Sequence, residues 1–186
     1  MKKREDQRIT LTKKLLRDSL VELLNEKSIY KITIRELCEV AGINRSTFYR
    51  YYENQFSLLG EMEGEIVDII YFNLAKLKTS DQQDNRKLLV VILSRLEEDV
   101  EFSRLLVNNN IDPEFPKKLL NSPQIREYNF AQLKDRYNTE HLNYLADFIT
   151  YGCYRTVQTW INKNNRESVD VIADMLATFI ARVVYS

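Results

Sequence analysis

The chain has 186 residues, 44% of them hydrophobic, enough to bury the core of one or two small domains. Its 27 basic and 27 acidic side chains cancel, which excludes a global basic signature. Three prolines and four glycines favour long helices. Cys38 and Cys153 stand at apolar helical positions and read as reduced core residues, in keeping with the cytosol. No apolar run follows the basic start as in a secretory signal, and none approaches the roughly 20 residues needed to cross a bilayer. A cytoplasmic protein with no membrane partner is expected. The charges are unevenly spread: residues 1–60 hold 12 Lys and Arg against 8 Asp and Glu (+4), and residues 61–186 hold 15 against 19 (−4).

Met1 to Arg8, MKKREDQR, carries Lys2, Lys3, Arg4 and Arg8. Two readings stand: a flexible basic arm that follows phosphates or enters a minor groove, and a solvated terminus. A first helix is predicted over about Thr10 to Glu26, with Leu16, Leu20, Leu23 and Leu24 as its buried face.

Residues 33 to 52, TIRELCEVAGINRSTFYRYY, carry the most information. Thr33 followed by Glu36 is a capping box, in which each side chain satisfies the other's free backbone N–H. Ile34, Leu37, Cys38 and Ala41 recur at i, i+3, i+4, i+7, one buried helical stripe. Gly42 ends the helix, since the residue past a helix end often needs φ > 0. Ile43 pins the turn, and Asn44 caps a second helix from about Arg45 to Tyr52. Phe48 and Tyr52, four apart, share the face laid on the first helix. Ser46, Thr47, Tyr49 and Arg50 are left outward or at the flank. Such a unit can enter a major groove with its N-terminal residues first. Arg45 and Arg50 reach guanine edges or phosphates, Ser46, Thr47 and Tyr49 donate to phosphate oxygens, and Thr33 opens a helix whose free N–H groups favour a phosphate. An ordinary helical hairpin with a solvated polar face has the same pattern.

These residues resemble the DNA-binding domain of TetR-type bacterial transcription regulators. The likeness covers about residues 10 to 59. It is carried by TIRELCEVAGINRSTFYRYYENQFSLL, where Gly42, Ile43, Thr47, Phe48, Tyr49, Tyr52, Leu58 and Leu59 fall on the family's pattern. The resemblance implies that Arg45, Thr47, Tyr49 and Arg50 touch DNA and that Thr33 contacts a phosphate. Gln55 stands where the family commonly has a phosphate-contacting lysine, and Tyr51, a further candidate contact, stands where histidine is common.

Beyond this unit a long helix is predicted from Asn54 to about Lys78, with Gly60 and Gly64 as weak points. A polar loop, TSDQQDN, covers 79–85. Helices follow at about 86–101 and 102–110, then a turn-rich NNNIDPEFP, then about 114–121 and 123–138. The last two are predicted over Glu140 to Asn162 and Ser168 to Tyr185, each with a long apolar stripe. Such helices either pair with the same two of a second chain in a four-helix bundle or pack within one chain. The interface expected for pairing is Ile149, Gly152, Cys153, Thr156 and Trp160 with Ile172, Leu176, Phe179, Ile180 and Val183, Gly152 allowing close backbone approach. TetR-type proteins dimerise through these helices. The run from Tyr151 to Leu176 also resembles a subclass that includes activators of dihydroxyacetone kinase operons, through Gly152, Trp160 and the polar turn before Ser168.

Catalysis is not expected. The single histidine, His141, lacks a nucleophile-elbow partner, no Cys/His set has metal spacing, and no glycine-rich loop could cradle phosphate. No cofactor or metal is expected. The chain therefore reads as an all-α protein of about nine helices. A three-helix helix-turn-helix domain spans 1–53, with an arm at 1–8, and a helical ligand-binding and dimerisation domain spans 54–186. Expected partners are double-stranded DNA, a second copy and a small-molecule effector, whose pocket is assigned to Tyr71, Phe102, Tyr128, Phe148, Tyr151 and Trp160. Such aromatics are more often core than pocket. The expected function is a ligand-responsive repressor acting as a homodimer on a near-palindromic operator, with recognition helices roughly 34 Å apart. The alternatives are an activator or co-regulator answering to a partner protein, and a helical interaction module without DNA binding.

Overall fold

A computed structural model describes residues 2–76, 82–108 and 110–185. They form ten α-helices and a short 3-10 turn at Ile29–Lys31, with no strand among the described residues. The chain divides into two compact units, Met1–Glu65 and Ile66–Ser186. That division falls inside a helix, Gln55–Lys76, rather than at its start, where a 53/54 boundary was expected.

The first unit contains α1 (Lys2–Glu26), α2 (Ile34–Ala41), α3 (Arg45–Phe48) and the first half of α4 (Gln55–Lys76). α1 starts eight residues before the expected Thr10, so residues 2–8 of the expected arm are helical, and Met1 lies outside the described residues. The segment KKREDQRI has no glycine or proline and is rich in good helix formers, and Thr10 Oγ1 donates back to the Asp6 carbonyl at 2.9 Å. Leu16, Leu20, Leu23 and Leu24 are buried as their spacing requires. α1 packs on α2, and Leu37, Cys38, Phe48, Tyr52, Leu58 and Met62 of the same unit are buried as well. Each such apolar side chain contributes about 1.5–3 kcal/mol when fully removed from water. Two ion pairs then tie α1 to α4: Lys13 Nζ to Glu61 Oε2 at 2.8 Å, and a two-pronged Arg17–Glu65 pair at 2.6 and 2.5 Å.

The second unit contains the rest of α4 and six further helices. They are α5 (Gln82–Glu98), α6 (Val100–Val107), α7 (Phe115–Leu120), α8 (Pro123–Leu133), α9 (Thr139–Ile161) and α10 (Val169–Tyr185). Of the expected loop at 79–85, residues 82–85 are helical and 79–81 lie outside the described residues, as do the last two residues of the helix expected to reach Lys78. Asp99 breaks the expected 86–101 helix by accepting a hydrogen bond from the Phe102 N–H at 3.2 Å, which caps α6. Asn138 does the same for α9, accepting from the His141 N–H at 3.2 Å, so α8 stops short of 138. α10 packs along α5, and Arg86 of α5 bridges Asp170 and Asp174 of α10 at 2.7 and 2.5 Å. α9 packs on α6 and α8. Trp160, near the end of α9, is 1% exposed. Its indole N–H donates to the Glu167 carbonyl at 2.7 Å, and the Arg166 guanidinium lies 5.7 Å from its ring centre. No helix among the described residues is long and apolar enough to cross a membrane.

Candidate functional site

In the first unit the local sequence fixes a two-helix turn at each hinge. Thr33 Oγ1 accepts from the Glu36 N–H at 3.2 Å. The Glu36 carboxylate is held below its usual pKa, first by its bond to Lys27 and further by the Thr33 backbone N–H. The Thr33 side chain thus caps α2, and Lys27 of the preceding loop pairs with Glu36. Gly42 is left-handed (φ 64°, ψ 30°), and the Ile43 N–H reaches the Cys38 carbonyl at 3.0 Å, closing the first helix in a Schellman turn. Asn44 Oδ1 then accepts from the Ser46 N–H at 3.0 Å and starts α3.

α3 is one turn long, shorter than the expected span to Tyr52; residues 49–51 continue as turns. Its anchor is Phe48, fully buried, with its ring centre 5.7 Å from that of Tyr52 and 5.6 Å from that of Tyr49. Tyr52 is buried as well, and its hydroxyl donates to Glu61 Oε1 at 2.9 Å. Burial, then the bond to Glu61, pushes the Tyr52 phenol well above its usual pKa.

Above these anchors Thr33, Arg45, Ser46, Tyr49 and Arg50 are exposed, and Thr47 and Tyr51 are half-buried. Arg45 and Tyr49 are four apart, as are Ser46 and Arg50, so each pair stands on one side of the turn. Tyr49 keeps 58% of its surface in solvent. Ser46 differs from the others, because its hydroxyl donates to Asn44 Oδ1 at 3.1 Å and must swing away to meet a phosphate. The arrangement presents two guanidinium groups, a phenol and hydroxyls on a rigid, narrow support, which suits an anionic groove.

The second unit holds a partly open cavity of about 170 Å³ bounded by the C-terminal half of α4 and by α5 to α10. Of the six aromatics assigned to a pocket, Tyr128 lines it and five do not. Phe102 and Trp160 are packed into the core at 1% exposure. Phe148 and Tyr151 point to solvent at 68% and 44%, and Tyr71 lies on another face of α4 than Ile66, Ile70 and Leu74, which do line the cavity. The residues expected at an interface fall into different surroundings. Ile149, Cys153 and Ile180 are half-buried and line the cavity, and Trp160, Ile172 and Leu176 are buried within the single chain. Gly152 and Phe179 are exposed, and Thr156 and Val183 are half-buried. A Cβ on Gly152 would meet nothing within 4 Å, so no close approach within the chain requires glycine there.

The physical reason is a helix with two apolar stripes. Leu142, Ala146, Ile149 and Cys153 form one side of α9, and Tyr144, Phe148 and Tyr151 the other; composition alone does not say which turns inward. Apart from Tyr128, the cavity's polar residues were missed. Asn85, Asn129 and Gln132 are amides on apolar helix faces, and that misplacement in the helical pattern was the available signal. Among the described residues no group of His, Cys, Asp or Glu is placed to hold a metal ion.

Comparison with known proteins agrees with both halves of this geometry. The family model for bacterial regulatory proteins of the tetR family matches residues 16–62. A second, for the transcriptional regulator C-terminal region (TetR_C_8), matches residues 83–182. Over 178 residues the chain is 21% identical to an uncharacterized HTH-type transcriptional regulator, YxbF, of Bacillus subtilis, covering 90% of this chain and 44% of that one. Over 93 residues it is 27% identical to the dhaKLM operon transcriptional activator DhaS of Lactococcus lactis, covering 50% of this chain and 46% of that one. The chain thus spans less than half the length of the curated relatives it matches. A solved TetR regulator from Streptococcus agalactiae superimposes with a TM-score of 0.62 at 21% identity, over 97% of this chain and 99% of that one, and shares the fold. On the two family matches, which together cover most of its length, the chain belongs to the TetR family of bacterial transcription regulators.

Proposed function

We propose that the chain is a sequence-specific DNA-binding repressor that works as a homodimer and releases its operator when a small molecule occupies the cavity of the second unit. The observation that carries this reading is the exposed row of Arg45, Ser46, Tyr49 and Arg50 over the buried Phe48 and Tyr52. Arg45 and Arg50 read base edges or hold phosphates. Thr33 and Tyr49 donate to phosphates; Thr33 can do so while its oxygen accepts from Glu36, since a hydroxyl donates once and accepts twice. Thr47 and Tyr51 act from the flank. A two-fold partner covers the outward face of α9 and α10, where Phe148 and Phe179 are 68% and 57% exposed, and sets two recognition helices roughly 34 Å apart on a near-palindromic site. Affinity for DNA then shifts only by the effector's preference between arrangements that fit and do not fit that spacing.

The test is a salt titration of binding to duplexes selected from a random pool. Log affinity should fall linearly with log salt, and Arg45→Ala should either flatten the slope by about one phosphate or relax one base position by about 1–3 kcal/mol. Binding no tighter to selected than to random duplex would overturn the reading. The likeness to DhaS, named as an operon activator, favours activation as the second reading of the sign. A promoter–reporter fusion with and without the protein separates the two.

A further inference from the structure

The wall of the second unit's cavity carries six polar side chains, and none of them ionises near neutral pH. Tyr128 Oη donates to Asn85 Oδ1 at 2.7 Å, and Asn85 Nδ2 donates to Gln132 Oε1 at 3.2 Å. On another part of the wall Asn129 Nδ2 donates to Thr150 Oγ1 at 2.7 Å. The sixth, Tyr154, donates to the Val107 carbonyl at 2.8 Å. Asn85, Asn129 and Gln132 are 2%, 6% and 8% exposed, an uncommon depth for amides. Among the described residues no Asp, Glu, Lys, Arg or His lines the cavity, and the rest of its wall is mostly aliphatic.

We propose that this cavity takes an uncharged, largely apolar small molecule bearing one hydroxyl, carbonyl or amide group, which exchanges hydrogen bonds with the Asn85–Tyr128–Gln132 chain. The inference rests on the effector reading above and gives that effector a chemical class. A carboxylate or an ammonium would lose its hydration here and find no opposite charge. Amides and phenols both donate and accept, so a neutral group of either polarity is matched. The same surroundings push the Cys153 thiol up to about 11 through burial, which shows how poorly this wall supports a charge. In size, about 170 Å³ compares with the roughly 150 Å³ of apolar void that holds one benzene. The carbon skeleton is therefore about that of a six-membered ring with a short substituent.

The test is calorimetric titration of the full chain, without DNA and at neutral pH, with cyclohexanol, cyclohexane, cyclohexanecarboxylate and cyclohexylammonium. Cyclohexanol should bind and raise the melting temperature, and both charged analogues should bind on the order of a hundredfold more weakly or not at all. Tyr128→Phe should weaken cyclohexanol about 3–10-fold and leave cyclohexane unchanged. Gln132→Met serves as a second variant should the first fail to fold. A charged analogue binding within about threefold of the alcohol overturns the neutral class and leaves the effector reading standing. Equal losses for cyclohexanol and cyclohexane in both variants overturn the role of the hydrogen-bond chain. Failure of all four probes to bind overturns the effector reading as well, while DNA binding is judged by its own titration.

Discussion

Phe148 and Ile149 are neighbours in α9 with opposite surroundings, so truncating each should move a different quantity. Phe148 is 68% exposed in the single chain. Fully covering a Phe side chain is worth about 1.5–3 kcal/mol, so covering the exposed two thirds is worth about 1–2 kcal/mol per chain. A two-fold interface counts each residue twice, which makes Phe148→Ala cost about 2–4 kcal/mol of association, roughly a 30- to 1,000-fold weaker dimer. Its effect on folding of the single chain should be slight. Ile149 instead lines the cavity and packs on the cluster of Leu133, Leu142 and Ala146. Ile149→Ala should therefore lower unfolding stability by about 2 kcal/mol, the low end for a core site, because the existing void lets neighbours relax. The dimer constant should be unchanged. Sedimentation equilibrium reads the first quantity, and urea unfolding of the same samples reads the second. The reasoning is refuted if Ile149→Ala weakens the dimer while Phe148→Ala does not, or if the unaltered chain sediments as a monomer at micromolar concentration.

Other expectations follow from the same structure. Gly42→Ala should destabilise the first unit by about 1–2 kcal/mol from its φ of 64° alone, since a Cβ there meets no neighbour; circular dichroism during urea unfolding measures it, and an unchanged midpoint contradicts the cap. Tyr52→Phe should cost about 1–2 kcal/mol by removing the hydroxyl bond to Glu61. Tyr52 also sets an alkaline limit. Its folded pKa lies above the unfolded value of about 10, so its contribution is complete below pH 10 and is lost as pH rises beyond. The stability loss above that pH should be shallower in Tyr52→Phe. Cys153, with its thiol pushed up to about 11, should react with iodoacetamide at pH 9 about 50-fold more slowly than an unhindered thiol. Cyclohexanol should slow it further, because Cys153 lines the cavity; reaction at the free-thiol rate would place the residue outside it.

Local signals in the sequence were legible where one residue type has one physical use. Thr33 with Glu36, Gly42 and Asn44 each fix a helix end, and those four residues alone place α2, the turn and the start of α3. The buried pair Phe48 and Tyr52 follows from spacing, because only one side of so short a helix can be covered. α9 was harder, since it is apolar on two sides and its phase depends on which neighbours arrive. Phe148 and Tyr151, expected at a pocket, face solvent, while Ile149 and Cys153, expected at an interface, line the cavity. The cavity's neutral polar wall depends on Asn85 of α5 meeting Tyr128 and Gln132 of α8, more than forty residues away. Nothing local announces that meeting. The N-terminal arm failed for a simpler reason: charge suggested a loose tail, while the run from Lys2 to Ile9 contains nothing that stops a helix.

Trp160 gives the molecule a built-in optical asymmetry. It is the chain's single tryptophan, and its indole is sealed against the segment joining α9 to α10 by the Glu167 carbonyl and Arg166. Indole emission therefore reports on the second unit, whereas far-ultraviolet ellipticity sums the helices of both. A denaturation followed by the two signals together asks whether the units melt in concert. Coincident curves would mean one cooperative molecule, and separated curves would assign each transition to its half without any label being attached.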